Sequence, residues 1–147
     1  KPVLGINPAE KLLTNGIRGS LKYSDFEWCS WTNNDSVSFT IDLLKPEVLN
    51  TLTLGCITNN GMAIHKPASV KVEVSDDNSN FREAAMQSFT PEEIFREGNF
   101  IENLPLKLGG TQGRYVRVSA KGPGVCPASH VRSGQASRIF FDEVMLE

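Results

Sequence analysis

The stretch Leu13-Thr14-Asn15-Gly16-Ile17-Arg18-Gly19-Ser20 gathers oxygen-bearing side chains and two glycines around one arginine. Each glycine costs a helix or strand roughly 0.5–1 kcal/mol, so a pair this close together marks a loop with a task of its own. Two chemistries suit it. Asn15 can bond its own backbone in an Asn-Gly turn, or the loop can fold around an ion, with the glycines letting it curl until carbonyls point inward.

The familiar catalytic patterns are not legible. His65 and His130 stand alone, without the helical spacing of a metalloprotease pair. No GxSxG elbow offers a serine nucleophile. Glycoside hydrolysis needs two carboxylates facing one gap. Asp76-Asp77 and Asp142-Glu143 would point apart on an extended chain, and Glu92-Glu93 opens a helix, where acids complement the dipole. Residues 108–113, LGGTQG, lack the GK[ST] of a phosphate loop and read as a turn. The expectation is a protein that is not an enzyme. Cys29, Cys56 and Cys126 show no CxxC spacing and read as small buried hydrophobes, with one bridged pair left open.

A chain of 147 residues is long enough for one domain, 1–147, with its own core. Its net charge of −2 and 15 scattered basic residues argue against nucleic acid, which needs a concentrated basic face. No apolar run approaches the roughly 20 residues of a membrane span, and no signal peptide or lipidation signal is legible. The start at Lys1, without a methionine, suggests a module of a longer parent that carries the targeting sequence.

The elements that must hold these residues have a period of two. Val37, Phe39, Ile41 and Leu43 alternate with polar residues; so do Leu52, Leu54 and Cys56, then Val70, Val72 and Val74, then Val116, Val118 and Ala120. Each run is a strand with one wet face, as in antiparallel sheets. Turn clusters at 75–80, 108–113 and 121–126 separate them. Asn7-Pro8-Ala9-Glu10 and Thr90-Pro91-Glu92-Glu93 each predict a short helix, the second running to Gly98. At the C-terminus Ile139 and Phe141 share one parity, Val144 and Leu146 the other, so a bulge is expected at Asp142-Glu143. The fold class is all-β, an antiparallel sandwich or barrel.

Leu13, Asn15-Gly16 and Ser20 are followed by Trp28, Ile41-Asp42-Leu43, Pro67 with Val70 and Val72, Ser75-Asp76 with Phe81, and the closing Asp142-Glu143. This order resembles the discoidin, or coagulation factor V/VIII type C, domain in the branch called carbohydrate-binding module family 32. Arg18-Gly19-Ser20, the pair Trp28 and Trp31, and the late loop of Cys126, Pro127, His130 and Gly134 are similar to the C-terminal modules of Bacteroides-type chitobiase or family 20 β-hexosaminidase proteins. The resemblance spans essentially the whole chain. It implies a jelly-roll sandwich of the galactose-binding-domain kind, with a structural calcium near its N- and C-terminal strands. The implied ligands are the carbonyls of Leu13 and Arg18, the Asn15 side chain, Ser20 and the Glu143 carboxylate. Calcium takes six to eight oxygens. Asn15 stands where the family usually has Asp, which removes a full negative charge.

The resemblance also implies a role: a non-catalytic module of a secreted or cell-surface, hence extracytoplasmic, glycoside hydrolase. Such a module holds the catalytic domain of its parent near glycans containing galactose or N-acetylhexosamine. Family members bind sugar on loops at one end of the sandwich, where a ring's C–H face stacks on an aromatic and its hydroxyls demand hydrogen bonds. The candidates are Trp28, Trp31, Asn59, Asn60, His65, His130 and Arg132. Trp28 and Trp31 also read as core, Asn59-Asn60-Gly61 as a plain hairpin turn, and His65 as surface. Residues 122–137 form an aperiodic loop long enough to expect a function, although Ser129 stands where near matches carry an aromatic. Two other readings stay open: a spacer or protein-interaction sandwich without a sugar site, and a membrane-surface binder using Met62 and Ile64.

Overall fold

The computed structural model describes residues 3–4, 13–32 and 36–147. The helix expected at Asn7–Glu10 lies outside them. The described strands are β1 (Val3–Leu4), β2 (Cys29–Thr32), β3 (Ser36–Asn59), β4 (Ser69–Ser75), β5 (Phe81–Ser88), β6 (Asn99–Lys121) and β7 (Arg138–Leu146). All pair antiparallel in the order β2-β7-β3-β6-β4-β5, with β1 added on β3. The expected all-β antiparallel sandwich is what forms.

Alternation builds it. Phe39 of β3 lies opposite Val118 of β6, which lies opposite Val72 of β4, and all three side chains point into the core. The later half of β3 sends Leu52, Leu54 and Cys56 into the same core, against Leu104 and Leu106 of β6 and Ile139 and Phe141 of β7. Full burial of such side chains contributes about 1.5–3 kcal/mol each, so the period-two pattern dictates which face turns inward.

β3 and β6 therefore serve both layers, where the pattern alone reads two separate strands on each side of a turn. Their register slips between Asp42 and Glu47 and again between Leu49 and Thr51. Leu44 (φ 72) sits within the first slip, and Gly109 and Gly110 (φ 67 and 76) lie opposite the second. The expected turn at 108–113 is thus a corner inside one 23-residue strand. Glycine permits the left-handed backbone there without breaking the ladder.

Three local expectations bear on the functional residues. The bulge in β7 is present: Leu54 pairs with Val144 and Cys56 with Phe141, leaving one extra residue on β7. It turns both Asp142 (0% exposed) and Glu143 (5%) inward. The second helix, α1 (Pro91–Ile94), has its capping box, with Glu93 N–H donating to Thr90 Oγ1 and Thr90 N–H to Glu93 Oε1. It stops at Ile94 rather than Gly98, because Phe95 leaves helical geometry and its ring packs on His65 and His130. Cys29, Cys56 and Cys126 are all buried.

A smaller apolar cluster of Trp28, Ile57, Ile64 and Phe140 lies apart from the main core, with Tyr23 and Met62 at its margin. Among the described residues, no helix is long and apolar enough to cross a membrane.

Candidate functional site

The candidate residues lie toward the two ends of β7. Near its start, the turn after β3 meets the loop before β7. Asn59 and Ile64 close that turn through reciprocal backbone hydrogen bonds of 2.9 and 3.1 Å, as the Asn-Asn-Gly signature predicts. Ala63 adopts the left-handed conformation (φ 55) at the end of a 3-10 turn over Asn60–Met62. The facing loop is tied by its own backbone: Cys126 N–H donates to Gln135 O, Gly134 N–H to Cys126 O, and Ser137 N–H to Gly124 O. Arg132 staples the two loops, its Nε donating to Gly61 O at 2.8 Å.

Between them lies a cleft of about 380 Å³ whose walls include Asn60, Phe95, Glu97, Ser129, His130 and Val131. The hydrogen-bond partners assign the tautomers. Arg132 N–H donates to His130 Nδ1 (2.8 Å), so the His130 proton sits on Nε2, which donates to Asn60 Oδ1 (2.6 Å). Ser137 Oγ donates to Ala63 O (3.3 Å) and accepts from His65 Nδ1–H (2.6 Å). His65 Nε2 is left with its lone pair facing His130 Nε2 and Asn60 Oδ1, each 3.2 Å away. Burial, and secondarily the neighbouring His130, pull the His65 pKa down to about 4. Its ring is neutral near neutral pH.

Four of the seven glycan candidates therefore converge from two loops: Asn60, His65, His130 and Arg132. Asn59 contributes through its backbone. Trp28 is 7% exposed, and its Nε1 donates to Ser20 O at 2.9 Å. Trp31 is half-buried, its ring tilted 5.5 Å from that of Phe141. Neither tryptophan lines the cleft, so its aromatic wall is Phe95 instead. Sequence reading missed Phe95, because a helix predicted to run to Gly98 hides the residue that ends it. Cys126, read as an inert hydrophobe, is 2% exposed beside the two histidines.

Toward the other end of β7, the 13–20 loop docks on the bulge. Val144 N–H donates to Leu13 O (2.6 Å), Gly16 N–H to Glu143 Oε2 (2.9 Å) and Ile17 N–H to Asn15 Oδ1 (2.8 Å). Asn15 Nδ2 donates to Glu27 Oε2 at 2.8 Å, bringing a second carboxylate to the loop. Arg18 Nε and Gly19 N–H both donate to Asp142 Oδ2, at 2.8 and 2.9 Å. A β-carbon on Gly19 would overlap the Trp28 ring, and one on Gly55 would overlap Asp142. These close approaches explain glycine at both positions, while Gly16 is required by its φ of 81.

Of the cation ligands implied by the resemblance, Leu13, Asn15 and Glu143 all lie where the 13–20 loop docks on β7. These are oxygen donors, the class a hard cation takes, and the Glu27 carboxylate stands beside them. The Ser20 hydroxyl accepts from Lys22 N–H and its carbonyl from Trp28 Nε1. The Arg18 side chain turns to Asp142 and to Asn103.

The F5/8 type C domain profile matches residues 5–133. No curated protein matches the chain. Among solved structures it is similar to the CBM32 module of AlyQ in complex with 4,5-unsaturated mannuronic acid (TM-score 0.60, 14% identity, covering 100% of this chain and 93% of that one). It is also similar to CpGH89CBM32-5 from Clostridium perfringens in complex with GalNAc-beta-1,3-galactose (TM-score 0.54, 17% identity, 93% and 81% covered). A third is the C-terminal domain of a chitobiase from Bacteroides fragilis (TM-score 0.54, 16% identity, 93% and 78% covered). At these identities the likeness is one of fold.

Proposed function

The chain belongs to the F5/8 type C domain family, and from the chemistry of its cleft we propose that it is a non-catalytic carbohydrate-binding module. Its parent would be an extracytoplasmic glycoside hydrolase of the chitobiase or β-hexosaminidase kind, and its target a galactose- or N-acetylhexosamine-containing glycan. One observation carries this reading. Asn60 and His130, polar and rigidly held, share a cleft of about 380 Å³ with the half-buried ring of Phe95. An aromatic face beside fixed donors and acceptors is what a sugar ring requires, since its C–H face stacks while its hydroxyls lose water only for hydrogen bonds. Arg132 at the rim adds a cation that can reach ring substituents.

One shallow cleft supports weak binding, with Kd on the order of 0.1–1 mM. Titration with galactose, N-acetylgalactosamine and N-acetylglucosamine, followed by amide chemical shifts, tests it. Saturable shifts around Asn60 and His130 are expected. Silence from all three sugars at about 10 mM would remove the reading.

The same proposal includes a structural calcium held by Leu13 O, Asn15 Oδ1 and Glu143, with Glu27 supplying the charge that Asn15 lacks relative to aspartate. When bound, the ion would tie the 13–20 loop to β7 electrostatically, and so stabilise the sandwich. Calcium should raise the melting temperature and EGTA should lower it. Identical melts in both would discard the ion and leave the hydrogen bonds as the only tie.

A further inference from the structure

His65, Cys126 and His130 lie far apart in sequence, yet their ligating atoms all fall within 4.8 Å of one another. We propose that these three side chains form a transition-metal site of the zinc type beside the cleft. It goes beyond the glycan reading, and does not depend on it.

The geometry is close to that of a bound ion. His65 Nε2 and His130 Nε2 are 3.2 Å apart. On a tetrahedral zinc with Zn–N of about 2.0–2.1 Å, two nitrogens stand about 3.3–3.4 Å from each other. A thiolate sulfur at about 2.3 Å from the metal would sit about 3.5–3.6 Å from each nitrogen. With all three ligating atoms within 4.8 Å of one another, the Cys126 sulfur needs to close by at most about 1.3 Å to complete three corners. Nitrogen and thiolate donors together select zinc-like ions over calcium or magnesium, which prefer oxygen.

The surroundings resemble those of a ligand set. His65 is wholly buried, and its remote Nδ1–H is held by Ser137 Oγ, which in turn donates to Ala63 O. A second partner of this kind fixes the ring and presents the opposite lone pair. Electron-rich atoms also crowd the site: His65 Nε2 and Asn60 Oδ1 both face the single proton on His130 Nε2, and the Cys126 sulfur is close by. A cation answers that crowding better than one shared proton. His130 lines the cleft and is half-exposed, so it gives an ion a path inward and leaves the fourth position to water.

Binding is balanced without any redox partner. The Cys126 thiol forms a sulfur–metal bond and releases its proton to solvent. The His130 proton moves from Nε2 to Nδ1, freeing Nε2 to ligate and costing the Arg132 N–H its acceptor. One proton leaves per ion bound.

Cobalt(II) added to the full chain, reduced and without a polyhistidine tag, reads the site directly. A 1:1 titration is expected, with a thiolate-to-cobalt charge-transfer band and the strong visible bands of tetrahedral cobalt, all bleached by zinc. Cys126→Ser should abolish the charge-transfer band, and His130→Ala should weaken binding at least tenfold. Cys56→Ala, at a core thiol outside the set, should leave the spectrum intact. Should Cys126→Ser fail to fold, His130→Ala still decides, because that ring is half-exposed in a loop. A wild-type spectrum without a thiolate band overturns the site, as does an unchanged one in either ligand variant. No sugar enters the assay, so its failure leaves the glycan proposal where it stood.

Discussion

At the far end of β7, the polar groups of the 13–20 loop are tied to the bulge. Arg18 and Gly19 N–H close on Asp142, and Gly16 N–H closes on Glu143, with both carboxylates buried. At its start, the polar groups of His65, His130 and Asn60 are held as firmly and border an open cleft. Both ends join segments distant in sequence through side-chain hydrogen bonds to fixed backbone. The difference teaches what to look for in a site, because both ends border open space: the cavity of about 570 Å³ beside the 13–20 loop is walled largely by Leu43, Val48, Leu49 and Leu146, whereas the cleft at the start of β7 sets Asn60 and His130 beside the Phe95 ring.

Substitutions can break that contrast at either end. The largest effect is expected from Arg18→Ala, which leaves the fully buried Asp142 without its countercharge. Removing one partner of a buried pair costs about 3–5 kcal/mol, and the half-exposed arginine places the expectation near the lower figure, read from urea unfolding. A loss near zero would mean that the far end is no more structural than the cleft.

Gly19→Ala comes next. Its β-carbon would overlap Trp28, and overpacking of this kind costs about 1–3 kcal/mol. A lowered melting temperature with the sugar-induced shifts at Asn60 retained is the outcome that keeps the two ends separate.

His130→Ala should act the other way round. Stability should change by less than about 1 kcal/mol at this half-exposed loop position, while sugar affinity falls at least tenfold. Unaltered affinity would move recognition away from this cleft.

Acid should produce the smallest and least local effect. Arg117 holds the Glu73 carboxyl below its ordinary 4.5, and Arg114 holds Asp42 below 3.8. Groups whose folded pKa is depressed add stability above their unfolded values, and that stability is lost as pH falls through the folded values. Stability should therefore hold above about pH 5 and decline below about pH 4. Both carboxylates lie on strands away from the two ends, so Arg117→Gln should flatten part of that slope without touching sugar binding.

Much of this was legible beforehand. Val70, Val72 and Val74, or Val116, Val118 and Ala120, declare their inward face because a strand alternates and water rejects one parity. The parity break at Asp142-Glu143 announced a bulge that exists. Asn60, His65, His130 and Arg132 were picked out by residue type, and the fold brings them together. Phe95 was not, since capping signals mark where a helix begins far better than where packing ends it. Residues 108–113 misread as a turn because two left-handed glycines look alike in a hairpin and in the corner of a long strand. Trp28 carried both readings, core and platform, and nothing local could choose between them.

The sequence by itself determined an all-β chain, its inward faces, its capped helix and its bulge, since each depends on interactions among residues a few positions apart. Only the tertiary structure decided that Trp28 seals against Gly19, that Phe95 walls a cleft, and that Cys126 joins two histidines. Those outcomes depend on which distant segments come within 3 or 4 Å of one another, and close packing sets that distance for the molecule as a whole.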